Sequence, residues 1–191
     1  MIVNGKRVKK KAFREENRPT STVIRVVGKP GSPHQGWVIH AGRTIPVALG
    51  PAGIRHDKRE GDGATPAGTW RPVQLRWRND NGMRPTTRLP VRPTRREDGW
   101  CDDPTNGRYN CPVTLPFGPS HEEMWRKDHL YDLVVVLDHN ARPRKARRGS
   151  AVFLHLAREG FKPTAGCIAF RRADLKRLLA VLTPRTRIRV G

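Results

Sequence analysis

His155, Thr164, Gly166 and Cys167 fall within one stretch, AVFLHLAREGFKPTAGCIAF, spanning residues 151–170. An apolar run ends near the histidine, a short polar turn follows, and the threonine, glycine and cysteine open a second apolar run. The pattern presents an imidazole and a thiol from adjacent strand ends. A thiol attacks well as its thiolate, and a nearby imidazole can act as the base or counter-cation that ionises it. Gly166 lets the backbone turn tightly before the cysteine, so amide N–H groups around Gly166 and Cys167 could face a developing oxyanion. Taken alone, Cys167 reads as a small buried hydrophobe and His155 as a structural residue. Paired in this frame, they read as a cysteine acyl-transfer site, with Thr164 and Ala165 beside the substrate.

A second set of chemical groups lies between Asn79 and Asp128, a long segment rich in Pro, Asn, Asp and Arg. Long loops inside a compact domain tend to carry function. Trp100, Asp102, Asp103, Tyr109, Asn110, Ser120, His121, Glu122, Trp125, Arg126 and Asp128 interleave acidic, amide and aromatic groups that could line a cleft for a zwitterionic peptide. Arg126 would clasp a carboxylate, and Asp102 or Asp103 an ammonium. The plainer alternative makes the two aspartates turn caps and Trp125 a packing residue. His121 rivals His155 as the base but lacks its place beside the cysteine. Cys101, Cys111 and His121 could in principle hold zinc, yet no C-x-x-C knuckle accompanies them and no metal is expected. In an exported chain Cys101 and Cys111 could pair, leaving Cys167 as the free thiol.

The run His155, Thr164, Ala165, Gly166, Cys167, Ile168 resembles the signature of the YkuD-type L,D-transpeptidase catalytic domain. Upstream, GDGATPAGTW resembles that family's TP-x-G segment through Thr65, Pro66 and Gly68. The resemblance covers roughly residues 22–190, nearly the whole chain. Many members carry Arg two residues after the cysteine, where this chain has Ala169. The resemblance implies peptidoglycan stem peptides as donor and acceptor, no cofactor, and a periplasmic or cell-envelope location. It also implies a mainly β fold, a sandwich of mixed sheets with one C-terminal helix on the core and a long active-site insertion.

The elements that would position these residues are short. An apolar fraction of 36% with 17 Pro and 18 Gly favours strands joined by turns over a helical bundle. STVIRVV, then Trp37–His40, then Arg43–Leu49 read as a three-stranded meander, and residues 50–68 as a loop costly to order without a purpose. Trp70–Arg78 is a strand in imperfect alternation. Tyr131–Asp138 is a β-branched run that both faces of a sheet would bury. Leu175, Leu178, Leu179 and Leu182 keep helical spacing until Pro184, and residues 186–190 close the chain as a strand.

Length fits one domain, residues 21–191, preceded by a basic flexible arm, residues 1–20, that lacks the apolar core of a secretory signal. No apolar run is long enough to span a membrane. The net charge of +21 draws the chain toward polyanions such as an anionic cell-wall or membrane surface. Zinc-finger, RNP and recognition-helix patterns are missing, so no specific nucleic acid is expected. Nothing in the sequence sets an oligomeric state. Three readings stand: an L,D-transpeptidase, an L,D-carboxypeptidase or endopeptidase on the same fold, and a basic polyanion-binding module with a structural Cys167. A papain-like protease is disfavoured because there the cysteine precedes the histidine.

Overall fold

The computed structural model describes residues 22–191, and the basic arm expected over residues 1–20 lies outside the described residues. The chain opens with the meander: β1 (Val23–Lys29), β2 (Ser32–His40) and β3 (Arg43–Ala48). β1 pairs antiparallel with β2, and β2 with β3. Along β1, Ile24 and Val26 turn inward while Val23 and Arg25 face out, the period-two alternation of a sheet with one wet face. The expected loop at residues 50–68 is instead partly ordered, with β4 (Ile54–Arg55) paired in parallel to β5 (Thr65–Pro66), and β6 (Gly68–Trp70) following.

Beyond β7 (Pro72–Trp77) comes the expected irregular insertion, which carries strands of its own. β8 (Val91–Pro93) adds to β7 in parallel, and β9 (Asp98–Cys101), β10 (Cys111–Thr114) and β11 (His121–Glu123) form a separate antiparallel sheet with β9 in the middle. We call it the cap. Arg76 of β7, almost fully buried, reaches Asp98 of β9 at 3.2 Å, and Arg92 of β8 reaches the same carboxylate at 2.9 Å. That buried pairing ties the cap to the main sheet, and losing one partner would strand the other's charge.

The remaining elements are β12 (Leu133–Leu137), β13 (Phe153–Leu156), a single 3-10 turn at Glu159–Phe161, β14 (Ile168–Phe170), α1 (Arg172–Val181) and β15 (Arg187–Val190). Among the described residues the fold is mainly β with mixed sheets and one α-helix. The ladder runs unbroken through ten strands in the order β6-β15-β1-β2-β3-β14-β13-β12-β7-β8, with β1/β15, β13/β14 and β7/β8 parallel.

β12 shows how the site is built. All five of its residues are buried, as the continuous β-branched run requires. Leu133, Val135 and Leu137 join the main core with the α1 leucines, whereas Val134 and Val136 join a second cluster with Trp100, Met124, Tyr131, Phe153 and Cys167. β13 divides in the same way, Leu154 and Leu156 entering the main core and Phe153 the second cluster. The second cluster therefore lies between the main sheet and the cap, on the face that Cys167 occupies.

Candidate active site

β13 and β14 run in parallel with Leu154 opposite Ile168 and His155 opposite Ala169. Continued by one residue, this register sets Phe153 opposite Cys167, and the Phe153 N–H donates to Cys167 Sγ at 3.3 Å. Since Leu154 and Ile168 point into the main core, His155 and Cys167 both point to the other face as diagonal neighbours. The adjacent strands expected from sequence are there, but parallel. The chain crosses over between them through the 3-10 turn.

Both side chains are 6% exposed and line one cavity of about 490 Å³. His155 Nδ1 lies 2.8 Å from the Leu156 carbonyl oxygen. A carbonyl can only accept, so the ring proton sits on Nδ1 and Nε2 keeps its lone pair. Tyr131 packs edge-to-face on the imidazole at 5.2 Å between ring centroids. Burial pushes the His155 pKa down to about 4. Cys167 Sγ donates to the Ala151 carbonyl at 3.1 Å, and burial first, then the Glu122 carboxylate, push the thiol well above its usual range. The resting pair is a neutral thiol and a neutral imidazole. The thiolate–imidazolium pair that the sequence left open is not the resting state.

Gly166 is fixed by geometry. Its φ of +135° lies where side chains are rarely tolerated, and a methyl group there would stand 2.7 Å from the Ala64 carbonyl oxygen. The two sequence-distant motifs thus meet backbone to backbone, Ala64 standing just before Thr65 and Pro66. The Gly166 N–H, expected to face an oxyanion, donates instead to Thr164 Oγ1 at 3.1 Å, and that hydroxyl donates to the Cys167 carbonyl at 2.7 Å. Gly166 and Thr164 therefore shape the cysteine turn, and of the two expected donors the Gly166 N–H is already used.

Thr164, Ala165 and Arg126 line the cavity. Arg126 is held by Asp128 through two bonds, at 2.9 and 2.6 Å, and lies over the Tyr131 ring at 5.0 Å. Four expected substrate contacts lie elsewhere. Trp100 is a core residue of the second cluster, stacked edge-on to Phe153 at 5.2 Å with its indole N–H donated to Asn110 at 3.1 Å. Asp103 closes a turn by accepting from Thr105 N at 2.9 Å and Thr105 Oγ1 at 2.6 Å. Tyr109 is buried behind the wall, where its hydroxyl donates to Glu60. His121 gives its Nδ1 proton to the Pro119 carbonyl at 2.8 Å and stacks on Phe117, outside the cavity. Trp125 packs beneath Arg78 at 4.0 Å, as the plainer alternative had it.

The cavity wall also holds Glu60, Arg158 and Lys162, which sequence reasoning did not assign, beside Asp102 and Glu122 of the long segment. Asp102 Oδ1 is buried without a hydrogen-bond partner. Glu122 accepts from the Tyr131 hydroxyl, and burial raises its pKa. Lys58 and Glu60 sit in the 50–68 segment, whose cost of ordering was the signal available for them. Cys101 and Cys111 stand opposite each other across β9 and β10, and His121 opposite Cys101 on β11. All three cysteines are free thiols. Among the described residues no group of three or more His, Cys, Asp or Glu is placed to hold a metal ion.

A sequence model described as YkuD, the L,D-transpeptidase catalytic domain, matches residues 22–190. No curated protein matches the chain. Among solved structures, Mycobacterium tuberculosis L,D-transpeptidase 1 is similar at 16% identity with a TM-score of 0.37, over 88% of this chain and 62% of that one. The chain thus spans less than two thirds of that solved chain.

Proposed function

The chain belongs to the YkuD family of L,D-transpeptidase catalytic domains, and from that premise we propose that it is a cysteine acyltransferase that cross-links peptidoglycan stem peptides. The observation that carries this reading is the placement of the Cys167 thiol and the His155 imidazole on one face of two parallel strands, in one cavity.

The donor carbonyl enters above Cys167. His155 Nε2 takes the thiol proton as Sγ bonds to the carbonyl carbon, so charge is created only as attack proceeds. The tetrahedral oxyanion is held by the Cys167 N–H, and the Leu156 carbonyl steadies the imidazolium through Nδ1–H. The C–N bond then breaks, the leaving amine receives the proton from Nε2, and a thioester on Cys167 remains. An acceptor amine gives a proton to Nε2 as it attacks the thioester. The C–S bond breaks, the sulfur recovers that proton, and a new amide is formed. Water in place of the amine would make the same site an L,D-carboxypeptidase or endopeptidase.

The two signs of charge in the wall suit a zwitterionic peptide. Arg126, with Arg158 and Lys162, receives a carboxylate, while Asp102, Glu122 and Glu60 receive an ammonium. Asp102 takes the role that sequence offered equally to Asp103. The +21 charge adds contact with an anionic cell-wall or membrane surface, in keeping with action in the cell envelope.

Incubation with purified muropeptides followed by mass spectrometry tests the reading. The native chain is expected to produce cross-linked dimers, and Cys167→Ala and His155→Ala to produce none. Equal product from both variants and the native chain would refute it.

A further inference from the structure

We propose that Lys58 is a further residue of the reaction, its ammonium stabilising the Cys167 thiolate and the oxyanion that form during acyl transfer. The inference rests on the acyl-transfer reading above and adds a charge to it that neither the sequence motifs nor the family match assigns.

Lysine is rarely buried, because an ammonium loses its hydration there, and a buried one is normally paired. Lys58 is 6% exposed. Its Nζ donates to Asp62 Oδ1 at 2.5 Å and to the Arg59 carbonyl at 2.9 Å, which uses two of its three N–H bonds. Asp62 in turn accepts from the backbone N–H groups of Arg59 and Ala64, so the ion pair is anchored to the segment that packs on Gly166. The lysine stem is held at Gly149, where a methyl group would stand 2.9 Å from its Cγ. Packed this way, the ammonium has little freedom to swing to solvent.

Its position is the one the chemistry lacks a charge for. A methyl group built on Gly166 would stand 3.6 Å from Lys58 Nζ, one residue from the nucleophile, and Lys58 lines the same cavity as Cys167 and His155. The Gly166 N–H is already given to Thr164, so an oxyanion would otherwise rely on the Cys167 N–H. Burial and Glu122 push the thiol up while Lys58 draws it down. Lys58 gives up no proton in any step. It acts by holding a positive charge at short range in a site sheltered from water, where such a charge is worth more than in solution. Asp62 and His139 are charged or titratable groups close to it, Glu60, Glu122, Arg126 and His155 line the Cys167 cavity with it, and Asp138 and Arg148 line a second pocket with it.

The test uses the full chain and reads two quantities. The first is the rate of Cys167 alkylation by iodoacetamide at fixed pH, followed on the Cys167 peptide by mass spectrometry, which reports the thiolate fraction with no substrate present. Lys58→Met is expected to slow it about tenfold, as a thiol pKa one unit higher requires, with Lys58→Arg restoring most of the rate. Asp62→Asn, which leaves the ammonium unneutralised, is expected to speed it. A structural role for the pair would move both variants in one direction. The second quantity is turnover of muropeptides, expected to fall ~10- to 100-fold in kcat for Lys58→Met with KM little changed. Unchanged alkylation in Lys58→Met, or a slower rate in Asp62→Asn, overturns the inference. Should Lys58→Met fail to fold, the direction of the Asp62→Asn change decides. Lack of turnover in the native chain sinks the acyl-transfer reading, and the alkylation rates still decide what Lys58 does to the thiol.

Discussion

His155 and Cys167 share one face of a parallel strand pair, yet the thiol proton is given to the Ala151 carbonyl and not to the imidazole. In the proposed reaction the thiol therefore stays protonated until a substrate carbonyl arrives, and its activation is coupled to attack. The acid limb of activity follows from this. His155 must be neutral to accept the proton, and its pKa is pushed down to about 4 by burial. The pH profile of kcat/KM, which reports the free enzyme, should hold its plateau through pH 6 and bend only near pH 4. A limb near the ordinary imidazole value of about 6.5 would show that the buried neutral histidine is not the base.

Stability should follow the same group in a predictable direction. Between pH 6.5 and about 4 the unfolded chain protonates His155 while the folded chain does not. Acidification through that window therefore favours unfolding, and the loss is complete below pH 4. Buried His139 adds to it with the same sign. Urea melts across this range should show a falling midpoint in the native chain and a shallower fall in His155→Gln. Parallel slopes for the two proteins would count against a buried neutral imidazole.

Gly166→Ala should damage the site more than the fold. The left-handed φ and the Ala64 carbonyl at 2.7 Å leave no room for the methyl group, so the cysteine turn must shift. A strained position of this kind costs about 1–3 kcal/mol. Thermal melting should register that loss, and muropeptide turnover should drop well beyond what the remaining folded fraction explains. Full activity in a folded Gly166→Ala chain would mean that the turn does not set the nucleophile.

The cap separates packing residues from binding ones. Trp100→Ala removes a buried ring of the second cluster and should destabilise by ~3–5 kcal/mol. Asp103→Ala should leave KM unchanged, because its carboxylate only closes a turn. Asp102→Asn should raise KM for the amine-bearing acceptor while leaving the melting temperature nearly unaltered. Steady-state kinetics on the two aspartate variants distinguish the roles, and a larger KM change for Asp103→Ala would reverse the assignment.

Period-two and helical patterns made the meander, the buried β12 run and α1 legible, since each strand or helix stripe writes its burial into the order of its residues. The His155 and Cys167 frame was legible because both lie within one local crossover. The cap was not. Trp100, Tyr109 and His121 carry groups that can bind or pack equally well, and their tertiary partners, Phe153 and Asn110, Glu60, and Pro119 with Phe117, decide between those uses. Nor could Lys58 or Glu60 be placed, as they reach the cavity from positions more than a hundred residues upstream of the cysteine. The pairing of Asp102 rather than Asp103 with the cavity turns on which of two adjacent residues closes the turn, a matter of backbone geometry that composition does not encode.

The most direct measurement is the intact mass of the chain after brief exposure to a donor stem peptide, with the adduct mapped by proteolysis. The account predicts an acyl group in thioester linkage on Cys167, released by hydroxylamine, formed by the native chain and lost in Cys167→Ala. An adduct on Cys101 or Cys111, or cross-linked product formed with no acyl group ever found on Cys167, would contradict it.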